Sequence, residues 1–265
     1  MTSRTKGWIV ALLALAGLVG FVFQLPTPEE PAAPLPNGSF VIRDVRLFDG
    51  ERVVERTNVR VEGGKIVDVG TGAVDPSVPV VDGTGRTLLP GLIDAHTHSW
   101  GDALERAVVF GVITQLDQFG DLEMARASHG TEFKGAELFT AGTLVTKAGG
   151  HGTQFRPGVP TLESAADADA FVAARLAEGS DWIKLVIEDG HELGMPKLLP
   201  TLDAATVRAV VEAAHRRKAL VVAHVHALDA AEMAVDDGGG DIERALSRSD
   251  FRLGDLMCAE APMSL

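Results

Sequence analysis

Two pairs of histidines, each spaced i, i+2 at the end of an apolar run, are the residues of this chain best suited to chemistry. They are His96 and His98 in "LLPGLIDAHTHSW" (88–100) and His224 and His226 in "VVAHVHALD". In a β-strand, residues i and i+2 point to the same face, so Asp94, His96 and His98 would line one side of one strand near its C-terminal end. His224 and His226 would do the same on another. Neutral imidazoles at this spacing can share a divalent ion; a single pair taken alone also fits polar residues at a strand end. Between the pairs, Lys184 interrupts the apolar run "DWIKLVI", flanked by Trp182, Ile183, Leu185 and Val186. A bare ammonium in such a strand would be costly. It is either a lysine whose stem snorkels to a strand end, or one made reactive by burial or modified into an acidic ligand. Scattered core histidines would not be expected to fall so regularly on two strands with a lysine strand between them.

Periodicity indicates which elements must position these side chains. From Phe40 the apolar residues alternate, "FVIRDVRLFDG" and then "NVRVEGGKIVDVG", with Gly63-Gly64 as a two-residue hairpin turn. This predicts a small antiparallel, sandwich-like β module over residues 40–89. From Leu92 onward short apolar runs alternate with helical stretches such as "DALERAVVFG", "ESAADADAFVAARLAEG" and "LDAATVRAVVEAAHRRK". Strand-then-helix repetition predicts βα units and a parallel sheet over residues 90–265, either a (β/α)8 barrel or an open doubly wound sheet. Five strands are legible, with room for a sixth. In a barrel, the C-terminal strand ends that carry the histidines are the active-site end. No G-x-G-x-x-G fingerprint follows the first strand, which removes the main support for dinucleotide binding.

Composition narrows the function classes further. At 265 residues and 46% hydrophobic content the chain can bury a sizeable core. Its formal net charge of −13, without a cluster of Lys and Arg, argues against a nucleic-acid partner and favours a small molecule or short peptide. The single cysteine, Cys258, excludes an internal disulfide and a Cys-rich zinc module. Residues 1–23 contain the uncharged apolar stretch "GWIVALLALAGLVGFVFQLP" behind Arg4 and Lys6, close to the ~20 residues that span a bilayer. They predict a signal anchor, or a cleaved signal peptide, and therefore export: a membrane-anchored, periplasmic or extracellular protein. Residues 24–39, rich in proline, predict an extended spacer.

"LLPGLIDAHTH", a lysine strand and "VVAHVHALDAAEMAVDDGGGDIE" together resemble the metal-dependent amidohydrolase superfamily, and "AGGHGTQF" (148–155) resembles its imidazolonepropionase and Xaa-Pro dipeptidase-like branch. The likeness runs from residue 40 to about 245. It implies that His96 and His98 bind a first divalent metal, zinc above all, that Lys184 bridges two metals as a carbamate, and that His224 binds the second. The implied activity is hydrolysis of an amide, cyclic amide or peptide-like C–N bond by a metal-activated hydroxide. The ligand types would equally suit manganese, iron or cobalt. His151, between glycines in a loop after the third barrel strand, would be a substrate contact, and His226 and Asp94 would be substrate-facing or support the ligands. His129, His191 and His215 carry no assigned role.

The chain departs from that pattern at its sixth strand. Members carry a histidine in a segment of the form G-x-D-x-I-E-H; here "GGGDIERAL" places Arg244 at that position. A guanidinium has no lone pair to offer a metal. Only about twenty residues follow, whereas each further βα unit needs on the order of 25, so Asp250 and Asp255 do not match the acid of an eighth strand. The expectations are therefore a partial barrel with open edges, from a truncated or frameshifted reading of a longer gene, and a site holding four of six ligands. A non-catalytic remnant that binds a metal or serves as an interaction module is the competing reading. A barrel that uses Lys184 as a Schiff base would leave both histidine pairs unexplained.

Overall fold

The structure is a computed structural model that describes residues 38–130, 132–191 and 194–236. The apolar segment 1–23, all but the end of the proline-rich spacer, and Arg244 with the sixth strand lie outside the described residues. Among the described residues no helix is long and apolar enough to cross a membrane. The chain divides into two compact units at Pro90/Gly91.

In the first unit, β1 (Phe40–Phe48), β2 (Val53–Glu62) and β3 (Lys65–Gly70) form an antiparallel meander. Glu62 pairs with Lys65 across the Gly63-Gly64 turn, where φ values of 56° and 75° satisfy the left-handed requirement of a two-residue hairpin. Val45, Leu47 and Val59 bury one face of the sheet, while Ile66, Val67 and Val69 of β3 stay exposed. Two short strands, β4 (Val80–Asp82) and β5 (Thr87–Leu88), pair with β1 in parallel. The module is thus one mixed sheet, not the antiparallel, sandwich-like arrangement expected. The chain between Gly70 and Val80 returns to the end where β1 begins, so the strands that follow must run alongside β1 in its own direction.

The second unit alternates strand and helix throughout. Its elements are β6 (Leu92–Thr97), α1 (Ala103–Val109), β7 (Val112–Asp117), α2 (Leu122–Ser128), β8 (Glu137–Thr140), α3 (Ala168–Glu178), β9 (Ile183–Ile187), α4 (Ala204–Arg216), β10 (Val221–Val225) and α5 (Leu228–Asp236). β6, β7 and β8 pair in parallel in chain order, as do β9 and β10. Val145 joins the two sheets: its N–H donates to the Lys184 carbonyl at 2.7 Å, and its own carbonyl accepts from the Val186 N–H at 3.0 Å. Five parallel strands therefore follow one another in sequence order, as barrel staves do. A doubly wound sheet would reverse its order at a switch point. No closed barrel is formed by the described residues.

Every residue of β9 is buried. Its outward side chains Ile183, Leu185 and Ile187 join Val172 of α3 and Val207, Val210 and Val211 of α4 in the largest apolar core. The alternate residues Trp182, Lys184, Val186 and Glu188 are consequently turned to the inner face. Asp203 caps α4 by accepting from the Thr206 N–H, and Gly179 ends α3 at φ 109°, so both helices stop and start where β9 needs them.

Candidate active site

At the C-terminal side of these strands lies a cavity of about 520 Å³. β6 contributes His96 and, just past its end, His98; β9 contributes Lys184 and Val186; β10 contributes His224. Loops complete the wall: Trp100 after β6, Gln118 and Phe119 after β7, and Leu144, His151, Gly152, Phe155 and Arg156 after β8. The register that pairs His224 with Val186 and Val222 with Lys184 sets the β9 and β10 side chains next to each other. The His96 and His98 rings lie edge to face with centroids 5.7 Å apart, and His151 stacks on His224 at 4.7 Å. All four residues matched to metal ligands, and His151, thus line one cavity.

Two of the sequence-matched residues do not. Asp94 is exposed, and its Oδ1 turns back to accept from the His96 N–H at 3.2 Å. His226 stands edge to face with His224, centroids 4.8 Å apart, and its Nδ1 contacts the carboxylate of the buried Glu188. Glu188, His224 and His226 form a cluster whose potential ligand atoms lie within 4.8 Å of one another. Arg244 lies outside the described residues, and His129, His191 and His215 do not line the cavity.

Burial dominates the electrostatics here. It pushes the His224 imidazole down to about 3, helped by the positive charges of His151, His226, Lys184 and His96. His224 is therefore a neutral imidazole across the working pH range, and its Nε2 is buried without a hydrogen-bond partner among the described residues. Burial also lowers His151, against the opposing pull of Glu188. Lys184 is 3% exposed.

Sequence reasoning passed over the residues that hold the first histidine pair in place. Asp117 ends β7 with no exposed surface; its Oδ2 accepts from the Ser99 N–H at 2.6 Å and its Oδ1 from the Phe119 N–H at 2.7 Å. Burial raises its carboxyl above the ordinary range even though both N–H groups pull it down. Gln115 Oε1 accepts from Ser99 Oγ, and Gln118 Nε2 donates to the Ala95 carbonyl. The signal was present in "VITQLDQFG": polar residues at 115 and 117 alternate within a strand expected to be buried on both faces.

No protein-family model matches the chain. A stretch of 77 residues, 29% of this chain and 16% of the relative, is 39% identical to the N-acyl-D-aspartate deacylase of Alcaligenes xylosoxydans xylosoxydans. Another of 62 residues, 23% of this chain and 14% of the relative, is 44% identical to the dihydroorotase of Mycobacterium tuberculosis. Among solved structures, a prolidase complexed with N-methylphosphonate-L-proline superimposes with a TM-score of 0.64 at 22% identity, covering 76% of this chain and 59% of that one. The sequence matches span small parts of the curated relatives, and the likeness to the prolidase is one of fold. By local sequence and by fold together, the chain is similar to members of the amidohydrolase superfamily.

Proposed function

We propose that this chain carries a metal-dependent hydrolase site that cleaves a C–N bond, amide, cyclic amide or peptide-like, in a small molecule or short peptide. The observation that carries the reading is the convergence of His96, His98, Lys184 and His224 from three strands on one cavity. The donor set fits a divalent ion: His224 is held neutral with a buried Nε2 that has no partner among the described residues, which is the form a metal requires. His96 and His98 would hold one zinc ion and His224 a second. A carbamate at Lys184, formed by addition of CO2 to its amine with loss of one proton, would add carboxylate-like oxygen donors to that set. Ions held there supply Lewis acidity, polarising the scissile carbonyl and making water nucleophilic near neutral pH.

The protein's own side chains do the rest. Trp100, Phe119, Leu144 and Phe155 give the cavity apolar surface suited to the substrate's apolar parts. Gln154 Nε2 lies 3.5 Å from His151 Nδ1; as donor to that nitrogen it leaves the ring proton on Nε2, available to a substrate carbonyl. The overall reaction adds one water across the amide bond: the hydroxyl goes to the acyl carbon and a proton to the nitrogen, so that one carboxylic acid and one amine are released.

Arg244 favours a second reading, in which a single ion is bound without turnover, because arginine replaces an expected ligand with a group that has no lone pair. Elemental analysis of the full chain prepared with zinc and carbonate, run beside an assay on a panel of N-acetyl amino acids, separates the two. A ratio near two with turnover abolished by chelation and restored by zinc is expected for the hydrolase. Metal without turnover supports the second reading, and a metal-free protein overturns both.

A further inference from the structure

β9 and β10 end side by side in a cluster of which the hydrolase reading uses only His224. Glu188 is the first residue past β9 and His226 the first past β10. The register pairs His224 with Val186 and Val225 with Ile187, so the next step brings His226 beside Glu188. Alternation along each strand turns residues 186 and 188, like 224 and 226, to the same face. A carboxylate and two imidazoles are thereby brought together, and their potential ligand atoms lie within 4.8 Å of one another.

The polar atoms of this cluster are held in place from behind. Glu188 is 4% exposed, and its Oε1 accepts from the Gly190 N–H while Oε2 contacts His226 Nδ1. Gly190 stands at φ 82°, in the left-handed region, and the tight turn that this allows returns its N–H to the carboxylate. One oxygen is therefore anchored to the backbone and the other is turned to the imidazoles. Nε2 of His224, buried and without a partner among the described residues, is the third donor. Two imidazoles and one carboxylate are a set that zinc takes with a fourth position left open. Ligand atoms on a tetrahedral zinc ion lie about 3.3 Å apart, so side-chain adjustments of about 1.5 Å or less would close the set. A divalent ion would also offset the cost of burying the Glu188 charge. The same carboxylate lines a second cavity, of about 590 Å³, whose wall carries Asp189, Asp229 and Glu232. An acidic mouth of this kind concentrates cations and gives the ion a route in.

We propose that Glu188, His224 and His226 form a zinc site of their own, complete without a carbamate on Lys184 and without a ligand at Arg244. Glu188 and His226 thus become ligands of the ion that the hydrolase reading gives to His224, in place of the donor that arginine cannot supply. The proposal shares His224 with that reading but does not need hydrolysis to be right.

Zinc titration against a chromophoric chelator, in carbonate-free buffer, tests it on the metal-free full chain carrying His96→Asn and His98→Asn, which removes the first histidine pair. One equivalent should still bind, and adding Glu188→Gln or His226→Gln should weaken it at least ~10-fold. No zinc on the folded double variant, or an affinity that ignores both further changes, overturns the proposal. Labelling of the unmodified chain with diethyl pyrocarbonate decides the matter should the variants not fold. Zinc without carbonate should slow modification of His226 at least ~10-fold relative to the exposed His129 and His215. Labelling of His226 that zinc leaves unchanged overturns the proposal, even where His224 is protected. Turnover of N-acetyl amino acids is assayed on the same unmodified chain with zinc and carbonate. Protection of His226 without turnover sinks the hydrolase reading and leaves this zinc site standing; turnover with His226 unprotected does the reverse.

Discussion

The two groups of candidate ligands sit on parts of the second unit that are held together by different physics. Lys184 and His224 stand on β9 and β10, which are packed against α3 and α4 by Leu185, Val172, Val207 and Val210, all buried. His96 and His98 stand on and just after β6, where Leu92 is 53% and Ile93 64% exposed, so that consecutive residues on opposite faces both meet solvent. What secures that segment is polar: Ser99 to Asp117 and Gln115, and Gln118 to the Ala95 carbonyl. Trp182 Nε1 donates to Gln118 Oε1 at 3.2 Å and so ties the polar network to the end of the apolar region. Apolar burial is non-directional and fixes where a strand lies; buried hydrogen bonds are directional and fix how it is turned. The first histidine pair therefore depends on a few specific bonds, and the second pair of ligands on a volume of packed side chains.

The two regions should differ most in stability. Leu185→Ala removes a side chain that is 1% exposed and is expected to cost about 2–5 kcal/mol. Leu92→Ala in β6 should change stability by no more than about 0.5 kcal/mol. Urea denaturation of the two variants beside the parent measures both, and similar losses would mean that β6 is covered in solution by residues outside those described. A second test uses the metal. A ligand that binds only the folded chain adds about 2.7 kcal/mol at 100 times its dissociation constant, equivalent to ~100-fold slower opening. In the metal-free chain the amides of residues 93–98 should exchange with solvent much faster than those of β9, and saturating zinc should slow them by that factor. Exchange in 93–98 that ignores zinc would remove His96 and His98 from the ligand set.

The same division decides how much was legible in the sequence. His96 on β6, His224 on β10, Lys184 on β9 and the Gly63-Gly64 turn are local patterns, while His98 and His226 lie just past the ends of their strands. The parallel, sequential strand order also follows from a local repeat of strand and helix. β4 and β5, three and two residues long, carry too little periodicity to announce a pairing partner, and their parallel register with β1 depends on a distant strand. Asp117 and Glu188 are single acids in strands whose meaning comes from neighbours about 20 and 40 residues away, Ser99 and His226. Arg156 looks like an ordinary loop cation until Phe119 and Gly120 are brought beneath it. The exposure of Ile93 was equally hidden, because an apolar residue in a strand says that cover is available, not which element provides it.

Asp117 gives the effect most specific to the polar region. Its two oxygens accept two backbone N–H groups, and asparagine has one acceptor oxygen, so Asp117→Asn leaves a buried donor facing an amide and should cost about 1–3 kcal/mol. The pH dependence separates this from a general loss of packing. Because burial raises the folded carboxyl above its ordinary value of 3.8, the folded chain holds that proton more tightly than the unfolded chain does. Stability contributed by the protonated acid is therefore full below pH 3.8, declines as pH rises through the raised folded value, and is level above it. Urea midpoints measured across that acid interval should show the decline in the parent and lose this component in Asp117→Asn. An unchanged slope would assign the titration to other carboxylates. It would leave Ser99 and Phe119, and with them the turn that carries His98, dependent on the position of Asp117 but not on its charge.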